Sequence, residues 1–297
     1  SYLASESLMD ELAEKVGLDP LEFRARNVYR PGSTTPTGQE PEVYAFPEMI
    51  EKLRPLYRAA LEKARAESTP ENKKGVGISL GVYGAGLDGV DAAEAWADLN
   101  ADGTVTVATT WQDHGQGAEM GAVGTAHEAL RPLGIAPDKI HWMLTDTGKA
   151  PNGGPSGGSR SQVVIGNAIK AACEGLVAGL KKADGTFRTY DEQVAAQEPT
   201  HFVGKWAASN NTNCDENAQG KPFAVYMYGM FMAEVNVNTK TGKTTVEGMT
   251  MLADVGKINN KLVVDGQIYG GVAQGIGLAL SEDFEDIEKH QTMLGAG

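Results

Sequence analysis

The chain has 297 residues, 41% of them hydrophobic, enough for one large or two medium domains with real cores and too apolar for a disordered chain. Its formal net charge of −13 repels phosphate backbones, and no basic run offsets it, so nucleic acid is excluded as a partner. No apolar stretch is expected to reach the roughly 18 residues of a membrane span. Cys173 and Cys214 lack CxxC spacing, which excludes a structural zinc site. Two thiols in a reducing compartment are the expectation, a disulfide the alternative.

In chain order, Leu8, Met9, Leu12, Ala13 and Val16 have helical spacing, and Gly17 ends that helix. Asp19-Pro20 starts a second one, with Asp as N-cap and Pro at the first helical position. Residues 30–45 are rich in Pro, Gly and Thr and read as a long loop. A helix follows from Pro47 to about Ala66, with Pro55 expected to kink or break it. Val76–Val82 alternates as a strand. Ala93–Leu99 and Thr104–Thr110 flank the turn Asn100-Ala-Asp-Gly103 and predict a hairpin. Met120–Leu130 reads as a helix, Ile140–Leu144 as a short strand and Gln162–Leu180 as a long helix. Phe231–Val237 and Thr244–Met251 form a second hairpin, and Val264–Leu280 a Gly-rich helix. Hairpins followed by single helices give an α+β fold with mixed sheets.

Three glycine clusters carry the chemistry. The first, Trp111-Gln-Asp-His-Gly115-Gln116-Gly117-Ala-Glu-Met-Gly121, follows a strand and opens a helix. Glycines admit a close anion and a helix N-terminus favours one, so a GxGxxxG dinucleotide turn is one reading and a plain tight turn another. The preceding strand belongs to a hairpin and is polar on one face, which is the wrong setting for a dinucleotide fold. The second cluster, Pro151–Ser161, offers Ser156, Ser159, Ser161, several amides and Arg160 as an anion cradle; a Gly/Ser linker is the alternative. In the third, Gly266–Gly277, Gln267 and Gln274 fall two turns apart on one face, with tight helix packing as the alternative. Three Gln- and Ser-bearing loops on an acidic chain suit a polyanionic ligand held by neutral donors. A pterin with a phosphate or nucleotide tail is such a ligand.

Here the chain resembles the molybdenum-binding part of the xanthine oxidase and aldehyde oxidoreductase family. The likeness rests on Ala4–Ala13, Asp19–Asn27, Gly115-Gln-Gly117, Pro155–Ser161, Ala233-Glu-Val235 and Gln267–Leu280, which together span nearly the whole chain. The run Val82-Tyr83-Gly-Ala-Gly-Leu87-Asp-Gly89 is similar to the bacterial molybdenum aldehyde oxidoreductases. The resemblance implies that Gly115, Gln116 and Gly117 lie against molybdopterin. Ser156, Gly157, Gly158, Ser159 and Ser161 would hold its phosphate end, and Gln267 the pterin region. Trp111 and His114 would flank the first loop, although His114 could simply cap the turn. Tyr83 and Leu87 would line an apolar substrate funnel. The protein supplies no metal ligand in this reading.

The implied reaction turns an aldehyde into a carboxylic acid with oxygen from water, a Glu assisting proton transfer. That Glu belongs to a Gly-x-Gly-Glu run absent from this sequence, so it is expected beyond Gly297 and no catalytic residue is assigned here. Both chain ends read as cut from a longer polypeptide, and the isolated chain is expected to be inactive. The resemblance further implies molybdopterin carrying Mo, in plain or cytosine dinucleotide form, and two [2Fe-2S] centres elsewhere in the parent. It also implies an electron-acceptor protein, a homodimer, a cytoplasmic location and no membrane partner. Residues 1–45 would end the first molybdenum-binding subdomain and 46–297 make most of the second. An NAD-dependent oxidoreductase and a non-catalytic structural fragment are the rival classes.

Overall fold

The structure is a computed structural model that describes residues 2–87 and 89–282. It divides into two units, Ser1–Asn259 and Asn260–Gly297.

The first unit begins with helices α1 (Tyr2–Lys15) and α2 (Pro20–Asn27). Asp19 caps α2 as its place before Pro20 predicts, its carboxylate accepting from the amides of Leu21 at 2.9 Å and Glu22 at 3.2 Å. Helix α3 (Phe46–Glu67) runs unbroken through Pro55. Pro55 is exposed, so the Glu51 carbonyl it releases faces water and the helix continues. The opposite face buries Phe46, Met49, Ile50, Leu53 and Tyr57 against a three-stranded antiparallel sheet. That sheet has the order β1 (Asn72–Ala85), β6 (Val225–Asn238), β7 (Thr244–Asp254). Ile78 and Leu80 of β1 and Tyr228, Met230 and Met232 of β6 complete this core, with Phe46 edge-on to Tyr228 at 4.9 Å.

A second α/β layer lies between β1 and β6 in sequence. Its sheet has the order β4 (Ile140–Met143), β3 (Val105–Ala108), β2 (Ala92–Leu99), β5 (His201–Ala207). β2 and β3 form the expected hairpin, but β3 also pairs parallel to β4 through helix α4 (Ala118–Ala129). The sequence reading put β3 in a hairpin instead of a βαβ unit; it belongs to both, because a strand has two edges.

Helix α5 (Ser161–Leu180) packs with α4 and the sheet, burying Val164, Ile165, Ala168, Ile169, Ala172, Cys173 and Leu176. A Cβ on Gly204 of β5 would fall 2.2 Å from the Ala168 carbonyl oxygen, so only glycine lets this helix backbone rest on the strand. Helix α5 is long and apolar enough to cross a membrane, contrary to the sequence expectation. Half of its apolar window is buried in this fold, which gives the same composition a core role. Neither cysteine forms a disulfide, and burial pushes the Cys173 thiol up to about 12. Helix α6 (Tyr190–Ala195) completes the layer.

The second unit contains α7 (Lys261–Leu280), capped by Asn260, whose side chain accepts from the Val263 amide at 3.2 Å. The α+β assignment with mixed sheets holds.

Candidate functional site

Because β3 and β4 are parallel neighbours, the loops that follow them leave the same end of the sheet. β2 runs antiparallel to β3, so the segment that enters β2 arrives at that end as well. Residues 86–87, 89–91, 109–117 and 144–160 therefore meet where ligands bind in open α/β sheets, at the carboxyl ends of parallel strands.

The first loop is held by its own side chains. Asp113 accepts from the amides of Gly115 at 2.6 Å and Ala118 at 2.7 Å. The Gly115 amide foremost, with those of Ala118, Gly117 and Glu119, holds its carboxyl below the usual aspartate range. The anion position at the start of α4 is thus filled by a residue of the chain itself. That arrangement, and not the absence of a βαβ unit, disfavours a dinucleotide pyrophosphate there. Gln116 donates to the Gln112 carbonyl at 2.8 Å and accepts from the His114 amide. His114 itself is exposed. Trp111 is buried, and its indole Nε1 meets no acceptor among the described residues.

The second loop is tied to the first through a reciprocal pair. The Ser156 amide donates to Gln112 Oε1 at 2.8 Å, and the Gln112 amide donates to Ser156 Oγ at 3.1 Å. Ser161 Oγ donates to Ser156 Oγ at 3.2 Å, drawing the helix start into the same network. Among the described residues the amides of Gly157, Gly158 and Ser159 donate to no acceptor, and all three residues are exposed. Ser159 has φ 56°, a conformation that L residues seldom adopt and that clusters at ligand sites.

Arg160 is not part of an anion cradle, as the sequence suggested. It is 1% exposed and fully engaged. Its Nε donates to Asp91 at 2.7 Å, and its other nitrogens donate to the carbonyls of Gly153 at 2.7 Å, Pro155 at 3.0 Å and Ala92 at 2.9 Å. Asp91 also accepts from the Leu87 amide at 3.2 Å, and the Gly86 amide donates to the Gly158 carbonyl at 2.9 Å.

The structure thus brings Trp111, His114, Gly115, Gln116, Gly117, Ser156, Gly157, Gly158, Ser159, Ser161 and Leu87 to one end of one sheet. Tyr83 lies on β1 and lines an apolar groove of about 390 Å³ with Gly81, Met227, Phe231 and Met251, a cavity that Leu87 does not share. Gln267 belongs to α7 in the second unit. Gln112, Asp113 and Asp91 escaped the sequence reading. The Asp-x-Gly spacing of Asp113 ahead of a helix was the available signal for one of them.

Residues 52–293 match the model of the molybdopterin cofactor-binding domain. The chain belongs to that family. The aldehyde oxidoreductase of Megalodesulfovibrio gigas is 65% identical over 298 residues, covering all of this chain and 33% of its own length. A solved structure of the aldehyde oxidoreductase from Desulfovibrio gigas superposes with a TM-score of 0.94 at 65% identity, again over all of this chain and 33% of that one. The aldehyde oxidoreductase from Desulfovibrio desulfuricans gives 0.93 at 60%, with the same coverage. This chain therefore spans about a third of the length of these relatives. The residues fit the family's cofactor. The three amides before α5 and the buried Trp111 N–H are donors whose partners the described residues do not supply, and such donors suit an anionic group with polar edges.

Proposed function

We propose that this chain is the molybdopterin-contacting portion of a molybdenum-dependent aldehyde oxidoreductase that turns aldehydes into carboxylic acids with water as the oxygen source. The supporting observation is the second loop, which follows β4 and whose Gly157, Gly158 and Ser159 amides meet no acceptor among the described residues. The identity shared with two aldehyde oxidoreductases over all of this chain points the same way. In this reading Gly157, Gly158 and Ser159, with Ser156 and Ser161, hold the phosphate end. Gly115, Gln116 and Gly117 lie along the pterin, with Trp111 and His114 beside them, and Gln267 is the further residue assigned to the pterin region. Of the two residues expected in the aldehyde funnel, Leu87 stands beside the second loop and is kept as its wall, while Tyr83 lines the separate groove on β1. When bound, the molybdenum cofactor supplies the two-electron redox change; the residues named here hold it, orient it and keep water from its edge.

The cytosine dinucleotide tail, the [2Fe-2S] centres, an electron-acceptor protein, a homodimer, a cytoplasmic location and a subdomain boundary near residue 45 complete the proposal. Metal analysis of the full-length protein tests it, together with pterin fluorescence after oxidation and aldehyde turnover. Molybdenum and pterin at about one per chain are expected, and Gln116→Ala should lower turnover. A protein that carries NAD and no molybdenum, or whose turnover ignores Gln116→Ala, would overturn it.

A further inference from the structure

We infer that the buried Asp91–Arg160 pair is a positioning clasp that locks the aldehyde wall to the phosphate-holding loop, so that the cofactor and the funnel keep one fixed relation. The inference rests on the cofactor reading above.

Two independent ties carry it. The first is ionic. Arg160 and Asp91 are 1% and 3% exposed, and the guanidinium grips the carboxylate from two nitrogens at 2.7 Å. The same carboxylate accepts the Leu87 amide, so one side chain holds the wall residue and the arginine together. The remaining Arg160 donors go to the carbonyls of Gly153 and Pro155 in the second loop and Ala92 at the start of β2. Arginine suits this task because its planar fork serves several acceptors in fixed directions, which a lysine ammonium does not.

The second tie is main-chain. The Gly86 amide donates to the Gly158 carbonyl at 2.9 Å. A Cβ at Gly158 would sit 2.7 Å from the Gly86 carbonyl oxygen, and Leu87 Cδ2 lies 3.5 Å from that position. No Cβ fits at Gly158, so the backbones of wall and loop lie in direct contact.

Arg160 immediately precedes α5 and the open amides immediately precede Arg160. A shift of the arginine therefore moves the amides of Gly157, Gly158 and Ser159 and, through Asp91, Leu87 as well.

The test uses the full-length protein. In Asp91→Asn and Arg160→Lys, we expect molybdenum and pterin per folded chain to fall at least about threefold. KM for a small aldehyde should rise about five- to twentyfold per loaded enzyme, with kcat changed less than about threefold. A lower Tm with unchanged occupancy and KM would overturn the clasp and leave a structural ion pair. If neither variant folds, amide exchange of the wild type with and without cofactor decides. Removal of the cofactor should deprotect 86–91 and 153–161 together, whereas deprotection of the second loop alone would overturn the coupling. Wild-type protein lacking molybdenum would instead refute the cofactor reading itself, which keeps the two failures distinct.

Discussion

The loop that opens α4 and the loop that opens α5 share a plan: a strand end, a run of glycines, a helix N-terminus. They differ in who satisfies the amides. In the first loop Asp113 does so from within the chain. In the second, three consecutive amides meet no acceptor among the described residues, while the buried Arg160 is consumed by carbonyls and Asp91. A Gly-rich helix start is therefore not by itself an anion site. The nearest carboxylate decides, since it fills the position for less entropy than any ligand.

Arg160→Met gives the largest test of this contrast. It leaves the Asp91 charge buried and unpaired, and urea unfolding should show a loss of about 3–5 kcal/mol. A loss under about 1 kcal/mol would mean that the second loop does not depend on its buried cation. Next comes Gly153→Ala. Its Cβ would lie 2.2 Å from the Thr110 carbonyl oxygen, where the two loops meet, and a loss of about 1–3 kcal/mol is expected in the same experiment.

Asp113→Ala should cost about 0.5–2 kcal/mol, as for other lost helix caps. It should also make the two loops alike, so that phosphate protects the first loop in amide exchange only in the variant. Protection in the wild type would break the contrast. The carboxyl of Asp113 is lowered in the folded protein, so its contribution is present above the ordinary aspartate value and is lost as pH falls through the folded value. Acid titration by NMR should therefore show the first loop loosening on the low side of the usual aspartate range, and a midpoint above that range would contradict the assigned bonds. The smallest effect belongs to Ser159→Gly. Relief of φ 56° should offset the added backbone entropy and raise stability by less than about 1 kcal/mol. Cofactor retention should drop at the same time, if the strained backbone is what aims the amides.

Local signals were legible where one residue decides the conformation. Asp19-Pro20 started α2, and Asn100–Gly103 turned β2 into β3. Partners distant in sequence were not legible. β3 pairs with β4 across α4, and Asp91 meets Arg160, but neither leaves a trace in local periodicity. β5 was missed because its inward positions are Phe202, Gly204 and Trp206: glycine, required by the close approach of α5, interrupts the apolar alternation. Helix α6 was readable and overlooked. Thr189 and Glu192 form a capping box whose spacing stands in the sequence. At the site, the glycine loops themselves were visible, whereas the division of labour between Asp113 and Arg160 required knowing which side chains are buried.

The four-stranded sheet, with its helices, is wholly contained in sequence between Ala85 and Val225, the ends of the longest strand pairing among the described residues. During synthesis this inner module is complete before β6 exists, so β1, whose strand partner in its sheet is β6, waits unpaired until β6 emerges. The handover between the two assemblies occurs at residues 86–91, the stretch that carries Leu87 and Asp91. The wall of the proposed funnel is thus built at the seam between the two assemblies, so its placement depends on both sheets at once.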